Sequence, residues 1–203
     1  MKIICIGRNY AEHAKEMKSA IPIEPVFFMK PDTALIKDNQ PFYLPDFSNE
    51  IHHEVEIVLK INKNGKNIAE EFAGKYFDEI GIGIDFTARD LQAKCKEKGL
   101  PWEKAKAFDG SAPISNFVSK NNFSDLKNLN FHLEINGKEV QKGNTKDLLF
   151  HFETIIFYVS KFITLKQGDL IFTGTPEGVG AVKAGDKLSA FIENKKMQEF
   201  EVK

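Results

Sequence analysis

The sequence predicts a β-rich α+β domain, and three observations carry that prediction. Residues 54–61 (Glu-Val-Glu-Ile-Val-Leu-Lys-Ile) and 80–85 (Ile-Gly-Ile-Gly-Ile-Asp) have the composition and the two-residue alternation of strands. Asn136-Gly137 separates two more strand-like runs, 131–136 and 138–142, and this dipeptide is a strong hairpin signal. Helical spacing is confined to a few stretches between many short strands, which is the α+β pattern.

Taken in order, residues 2–6 form a short buried strand ended by Gly7, and 10–17 a helix. Pro22, Pro25, Pro31, Pro41 and Pro45 punctuate the next segment into short strands and turns. The strand at 54–61 leads into a turn, Asn62-Lys63-Asn64-Gly65-Lys66, and 68–77 reads as helix. In 80–85, Ile80, Ile82 and Ile84 take one face of a strand, and Gly81, Gly83 and Asp85 the other. Thr87, with Asp90 three residues on, is placed as the N-cap of a helix running to Lys98, closed by Gly99 and Pro101. The apolar and aromatic stretch 148–163 has roughly helical spacing. A strand at 169–173, a glycine-rich loop at 174–180 and two short strands complete the chain.

With 203 residues, 42% of them hydrophobic, the chain supports a single domain, 1–203, with a substantial core. A net charge of −1 points to no nucleic-acid or membrane-surface partner, and no apolar run approaches the ~20 residues of a membrane-spanning helix. The opening Met1-Lys2-Ile3-Ile4-Cys5-Ile6-Gly7 is too short and too soon polar for a signal peptide. Cys5 and Cys95 form neither a metal spacing nor a disulfide framework, so a cytoplasmic setting and inert thiols are expected.

Glu54 and Glu56 lie two apart and project from one strand face, opposite Val55, Ile57, Leu59 and Ile61. Paired carboxylates repel, so they either lie on a solvated face or share a cation. Asp85 favours the cation. It stands at a strand end, and Gly81 and Gly83 clear space on its own face, as strand glycines do where a ligand approaches. If the two strands are neighbours, the three acids converge, and three carboxylates suit a hard cation such as Mg²⁺ or Mn²⁺. His52 has no zinc-type companions; it either supports this cluster or stands at a strand entrance. His13 and Glu16 share a helix face, as a base and its orienting carboxylate or as a plain surface pair. The loop at 174–180 has neither P-loop nor GxGxxG form. It either offers N–H groups and the Thr175 hydroxyl to a carboxylate or is a simple turn.

Five segments, in this order, resemble the fumarylacetoacetate hydrolase family. They are Gly7-Arg8-Asn9-Tyr10-Ala11-Glu12-His13, His52-His53-Glu54-Val55-Glu56, Asp85-Phe86-Thr87-Ala88-Arg89-Asp90, Lys98-Gly99-Leu100-Pro101-Trp102 and Thr173-Gly174-Thr175-Pro176-Glu177-Gly178-Val179-Gly180. The compact length resembles the small acylpyruvase and oxaloacetate decarboxylase branch. The resemblance implies a mixed β-roll with peripheral helices, usually a homodimer. It implies Glu54, Glu56 and Asp85 as ligands of Mg²⁺ or Mn²⁺, and His13 with Glu16 as a catalytic dyad on a segment that orders over the ligand. Lys106 corresponds to an active-site lysine, and Arg8, Arg89, Gln92 and Thr175 to substrate contacts. Asp109 and Gly110 depart from the small uncharged residues the family pattern has there.

The implied partner is a small 2-oxo acid or dicarboxylate. The implied reactions are C–C hydrolysis of acylpyruvates and decarboxylation of oxaloacetate, both through an enolate. An oxaloacetate tautomerase and a 2-hydroxyhepta-2,4-diene-1,7-dioate-type isomerase share that chemistry and are the alternatives. Outside catalysis, the alternative is a metal-dependent dicarboxylate-binding protein.

Overall fold

In the computed structural model, which describes residues 1–203, the apolar run near the start forms β1 (Ile3–Gly7), buried on both faces. It is followed by α1 (Ala11–Glu16), β2 (Val26–Lys30) and β3 (Leu35–Ile36). β4 (Ile51–His53) and β5 (Val55–Ile61) are separated only by Glu54, and α2 (Glu70–Ala73), β6 (Phe77–Ile84) and β7 (Thr87–Ala88) come next. Two helices, α3 (Arg89–Lys98) and α4 (Glu103–Lys106), precede β8 (Ala112–Pro113), β9 (Val118–Ser119), β10 (Asn130–Ile135) and β11 (Lys138–Asn144). The chain ends with α5 (Phe152–Phe162), β12 (Leu170–Phe172), β13 (Gly180–Ala181), β14 (Lys187–Ile192) and β15 (Lys195–Glu201). No helix is long and apolar enough to cross a membrane.

The main sheet has the order β2-β1-β12-β5-β6-β9, with β1 and β12 parallel and the other pairs antiparallel. A second sheet has the order β11-β10-β14-β15, and a small one β13-β4-β7. Ile57, Leu59, Ile82 and Ile84 of the main sheet share one large core cluster with Phe131, Leu133, Leu188 and Ile192 of the second. The opposite face of the main sheet buries a smaller cluster that includes Ile3, Cys5, Val58, Ile114 and Phe172. Glu56 falls on that second face, in phase with Val58, so the strand that builds the core also delivers a carboxylate to its far side. The fold is thus the expected sheet-rich α+β architecture with few helices.

The Asn136-Gly137 hairpin forms as predicted, with both residues left-handed (φ 54° and 78°) between β10 and β11. Gly99, also left-handed (φ 62°), ends α3 as expected. Three expectations need correction. The helix placed at 68–77 is only the four residues of α2, because Phe77 is drawn into the main sheet and its ring packs edge-on against Phe152. Thr87 is not an N-cap: α3 starts at Arg89 with Ala88 in the cap position, and the Thr87 hydroxyl instead donates to Glu54 Oε1 at 3.0 Å. Gly81 and Gly83 do not open space for a ligand. A Cβ at Gly83 would lie 2.6 Å from the Phe172 ring, and one at Gly81 would lie 3.0 Å from Ser115 Oγ. These glycines admit neighbouring side chains, and Asp85 lies just beyond the strand they belong to.

Candidate active site

Glu54, Glu56 and Asp85 converge. Each offers a carboxylate oxygen, and these atoms lie within 4.8 Å of one another. All three residues are at most 5% exposed. The convergence comes from a break rather than from unbroken alternation. Glu54 interrupts the run between β4 and β5, and its carbonyl accepts the N–H of Asp85 at 2.8 Å. Val55 pairs with Ile84 across β5 and β6, so Glu54 and Asp85 leave adjacent strand ends together while Glu56 stays within β5.

Cations surround two of the acids. Lys106 Nζ donates to Glu54 Oε2 at 2.9 Å and to Asp85 Oδ2 at 2.7 Å. Arg89 donates to Glu54 Oε1 and to Gln92 Oε1, each at 2.7 Å. Lys30, on β2, reaches Asp85 Oδ1 at 2.8 Å, and it also donates to Ser111 Oγ and to the Lys106 carbonyl. Burial would raise the Glu54 pKa, but Lys106 and Arg89 outweigh it and hold the carboxyl below the usual range. For Lys106, burial is outweighed by Asp85 and Glu54, which keep the ammonium charged. Glu56 has no such ion pair. Burial, then Asp85 and Glu54, push its pKa well above normal, against the Gly174 N–H at 2.6 Å and the more distant charge of Lys106. Three buried carboxylates on one cavity, one of them without a cationic partner, are a donor set that fits a hard divalent ion such as Mg²⁺ or Mn²⁺.

His13, 6% exposed, lies on α1 with Nδ1 at 3.1 Å from Glu16 Oε2. A carboxylate on Nδ1 fixes the Nδ1–H tautomer and leaves Nε2 as the basic nitrogen. Glu16 is itself held, since its Oε1 accepts the Gly178 N–H at 3.1 Å. The 174–180 loop therefore gives two N–H groups to carboxylates of the protein, Glu56 and Glu16. The Thr175 hydroxyl, on the cavity wall, is left in the role expected of the loop. Asn9 ties α1 to the same region: Nδ2 donates to the carbonyls of Phe150 and Thr173, and Oδ1 accepts the Phe150 N–H.

Nine of the ten residues singled out in the sequence line one cavity of about 480 Å³; Glu16 reaches it only through His13. The cavity also has apolar walls at Phe28, Leu100 and Trp102. His52 does not join the acids; it pairs with Glu50 at 2.9 Å and stands at the strand entrance. His53 turns inward to Gln141 instead. Cys5 and Cys95 are buried and free. Sequence reasoning missed Lys30, Asn9 and Gln141. A lysine closing the otherwise apolar run Val26-Phe27-Phe28-Met29 is the one signal that could have marked Lys30.

The family model for the fumarylacetoacetate hydrolase C-terminal region matches residues 2–202. The oxaloacetate tautomerase FAHD1, mitochondrial, of Mus musculus is 45% identical over 201 residues, covering 99% of this chain and 91% of that protein. The oxaloacetate tautomerase YcgM of Escherichia coli is 46% identical over 189 residues, covering 93% of this chain and 86% of that protein. The crystal structure of fumarylpyruvate hydrolase from Pseudomonas aeruginosa, in complex with Mn²⁺ and pyruvate, superposes with a TM-score of 0.94. It is 35% identical and covers 100% of this chain and 89% of that one. By the extent of these matches, the chain belongs to the fumarylacetoacetate hydrolase family.

Proposed function

We propose that this chain is a metal-dependent enzyme that acts on oxaloacetate, interconverting its keto and enol forms. The observation that carries this reading is His13, held by Glu16, which lines the same cavity as the three converging acids. The names of the relatives supply the substrate class, short 2-oxo acids.

A divalent cation held by Glu54, Glu56 and Asp85 supplies a Lewis acid for charge developing on a 2-oxo oxygen. Arg8, Arg89, Gln92 and Thr175 bind and orient the substrate's carboxylate and oxo oxygens. His13 Nε2 takes a proton from C3, with Glu16 stabilising the imidazolium. The proton that His13 has taken is returned at the C2 oxygen to complete the enol, and the reverse path restores the keto acid. Lys106, on the same cavity and within hydrogen-bond reach of Glu54 and Asp85, supplies a positive charge beside the enolate oxygen.

Hydrolysis of acylpyruvates is the second reading, and the cavity favours it. About 480 Å³ with apolar walls has room for an acyl group beyond a four-carbon acid. There His13 would deprotonate a water that attacks the distal carbonyl, and pyruvate enolate would leave as the C3–C4 bond breaks. Decarboxylation of oxaloacetate uses the same electron sink and needs no water.

The purified protein, supplied with Mg²⁺ or Mn²⁺, is to be tested on enol-oxaloacetate, acetylpyruvate and fumarylpyruvate. Accelerated loss of the enol absorbance without pyruvate formation is the expected result. Pyruvate from the acylpyruvates would move the assignment to hydrolysis. Metal-dependent binding of all three with no turnover would overturn the enzyme assignment.

A further inference from the structure

Gln141 lies on β11 in the second sheet, is 2% exposed, and does not line the cavity. Its amide nevertheless joins two elements that do. Oε1 is 3.0 Å from the Val55 backbone nitrogen and 2.8 Å from His53 Nδ1. Nε2 is 3.0 Å from the Pro176 carbonyl oxygen and 3.0 Å from Thr175 Oγ1.

Two of these four partners have no freedom of role. The Val55 N–H can only donate and the Pro176 carbonyl can only accept, so together they fix which end of the amide is oxygen. The other two roles follow. His53 carries its proton on Nδ1 and donates it, and Thr175 Oγ1 accepts from Gln141. Thr175 Oγ1 makes no other hydrogen bond within the protein, so its own proton is uncommitted. Thr175 lines the cavity next to Gly174, whose N–H holds Glu56.

We propose that Gln141 is a positioning residue that makes the Thr175 hydroxyl an obligate donor to an anionic oxygen of the substrate. Free to rotate, that hydroxyl could turn its proton either way; with a Gln141 N–H directed at Oγ1, the proton must point away from Gln141. The inference rests on the reading above that Thr175 contacts the substrate.

The test is steady-state kinetics on enol-oxaloacetate with Mn²⁺, together with Mn²⁺ titration of each variant. Thr175→Val should raise KM about ten-fold, the scale of one hydrogen bond to a charged group, with kcat within about two-fold. Thr175→Ser should restore KM. Gln141→Met, similar in shape but with no donor and only a weakly accepting sulfur, should raise KM to a similar extent without weakening Mn²⁺ binding. Gln141→Glu, which would draw the hydroxyl proton to itself, provides a second variant with the same expected KM rise. Adding Gln141→Met to Thr175→Val should change KM no further. Unchanged KM in both Gln141 variants, with Thr175→Val impaired, overturns the proposal and leaves the substrate contact standing. Unchanged KM in Thr175→Val overturns the contact and the proposal together. Additive effects in the double variant also overturn the proposal, because Gln141 would then act by another route.

Discussion

Lys30 Nζ lies 2.8 Å from Asp85 Oδ1, the oxygen that Lys106 leaves free. Asp85 is thus held by two ammonium groups, one from an edge strand and one from a short helix. Lys30 also bonds Ser111 and the Lys106 carbonyl, so it fixes the acid and the segment carrying the second lysine in one step.

Lys30→Met should therefore act mainly on stability. The residue is 2% exposed, and its loss leaves Asp85 with Lys106, already shared with Glu54, as its one remaining ammonium, so the cost should be about 1–3 kcal/mol, that of a buried acceptor losing a partner. Urea melts at pH 7 will check this. A loss below about 1 kcal/mol would mean that water replaces the ammonium without penalty.

The acids and the dyad should separate cleanly. Glu54→Gln and Asp85→Asn should each weaken Mn²⁺ binding by more than about 100-fold, since even residues that only support a ligand cost 10–100-fold. Turnover should disappear with the metal. His13→Ala should keep Mn²⁺ and lose about 10²–10⁴-fold in kcat, the scale of a positioned base. Glu16→Gln should fall between wild type and His13→Ala, because the carboxylate acts on the imidazole rather than on the substrate. Calorimetric titration beside kinetics distinguishes the two classes, and a His13→Ala enzyme with full turnover would remove the dyad from the chemistry.

What was legible in the sequence followed local rules, and what was not depended on distant partners. The Asn136-Gly137 turn and the Gly99 cap are backbone requirements that a dipeptide or one residue states outright. Glu54 and Glu56 were found by their spacing, although the strand breaks at Glu54 and the convergence owes more to that break than to alternation. Thr87 misled because a hydroxyl just before a helix can cap it by accepting an N–H or can donate to a buried carboxylate; here Ala88 takes the cap position and the hydroxyl donates to Glu54. Gly81 and Gly83 misled because close approach by a phenylalanine ring leaves the same trace as close approach by a ligand. His53 and Gln141 are separated by 88 positions, and no periodicity links them.

His53 gives the stability a pH dependence of definite sign. Burial, the largest influence, holds its folded pKa below the ordinary 6.5, so the unfolded chain binds the extra proton first as pH falls. Stability should fall as pH drops through 6.5 toward the lowered folded value, then level off. Glu56 has the opposite sign: its raised folded pKa, due to burial, Asp85 and Glu54, costs stability as pH rises above 4.5. Comparing wild type with His53→Gln isolates the histidine, because Glu56 is common to both. The slope of stability against pH between pH 7 and 5 in urea melts should be less positive in the variant, with the shares of Glu56 and His52 unchanged. An equal slope in both proteins would show that His53 protonates in the folded state as easily as in the unfolded one.

Gly174→Ala should couple strain to the site. Gly174 has φ +105°, a conformation that residues with a side chain rarely adopt, and an added Cβ would lie 2.6 Å from Asn9 Cβ. Asn9 cannot easily yield, since it is fully buried and its amide is bonded to Phe150 and Thr173. The loop must yield instead, and the first bond at risk is the Gly174 N–H to Glu56, the acid with no ion pair of its own. Backbone strain of this kind costs about 1–3 kcal/mol, so the variant should fold with a lower melting temperature. Mn²⁺ affinity should fall with it, because Glu56 loses the donor that orients it. Lower stability with unchanged Mn²⁺ affinity would show that the loop supports the fold and not the metal ligand.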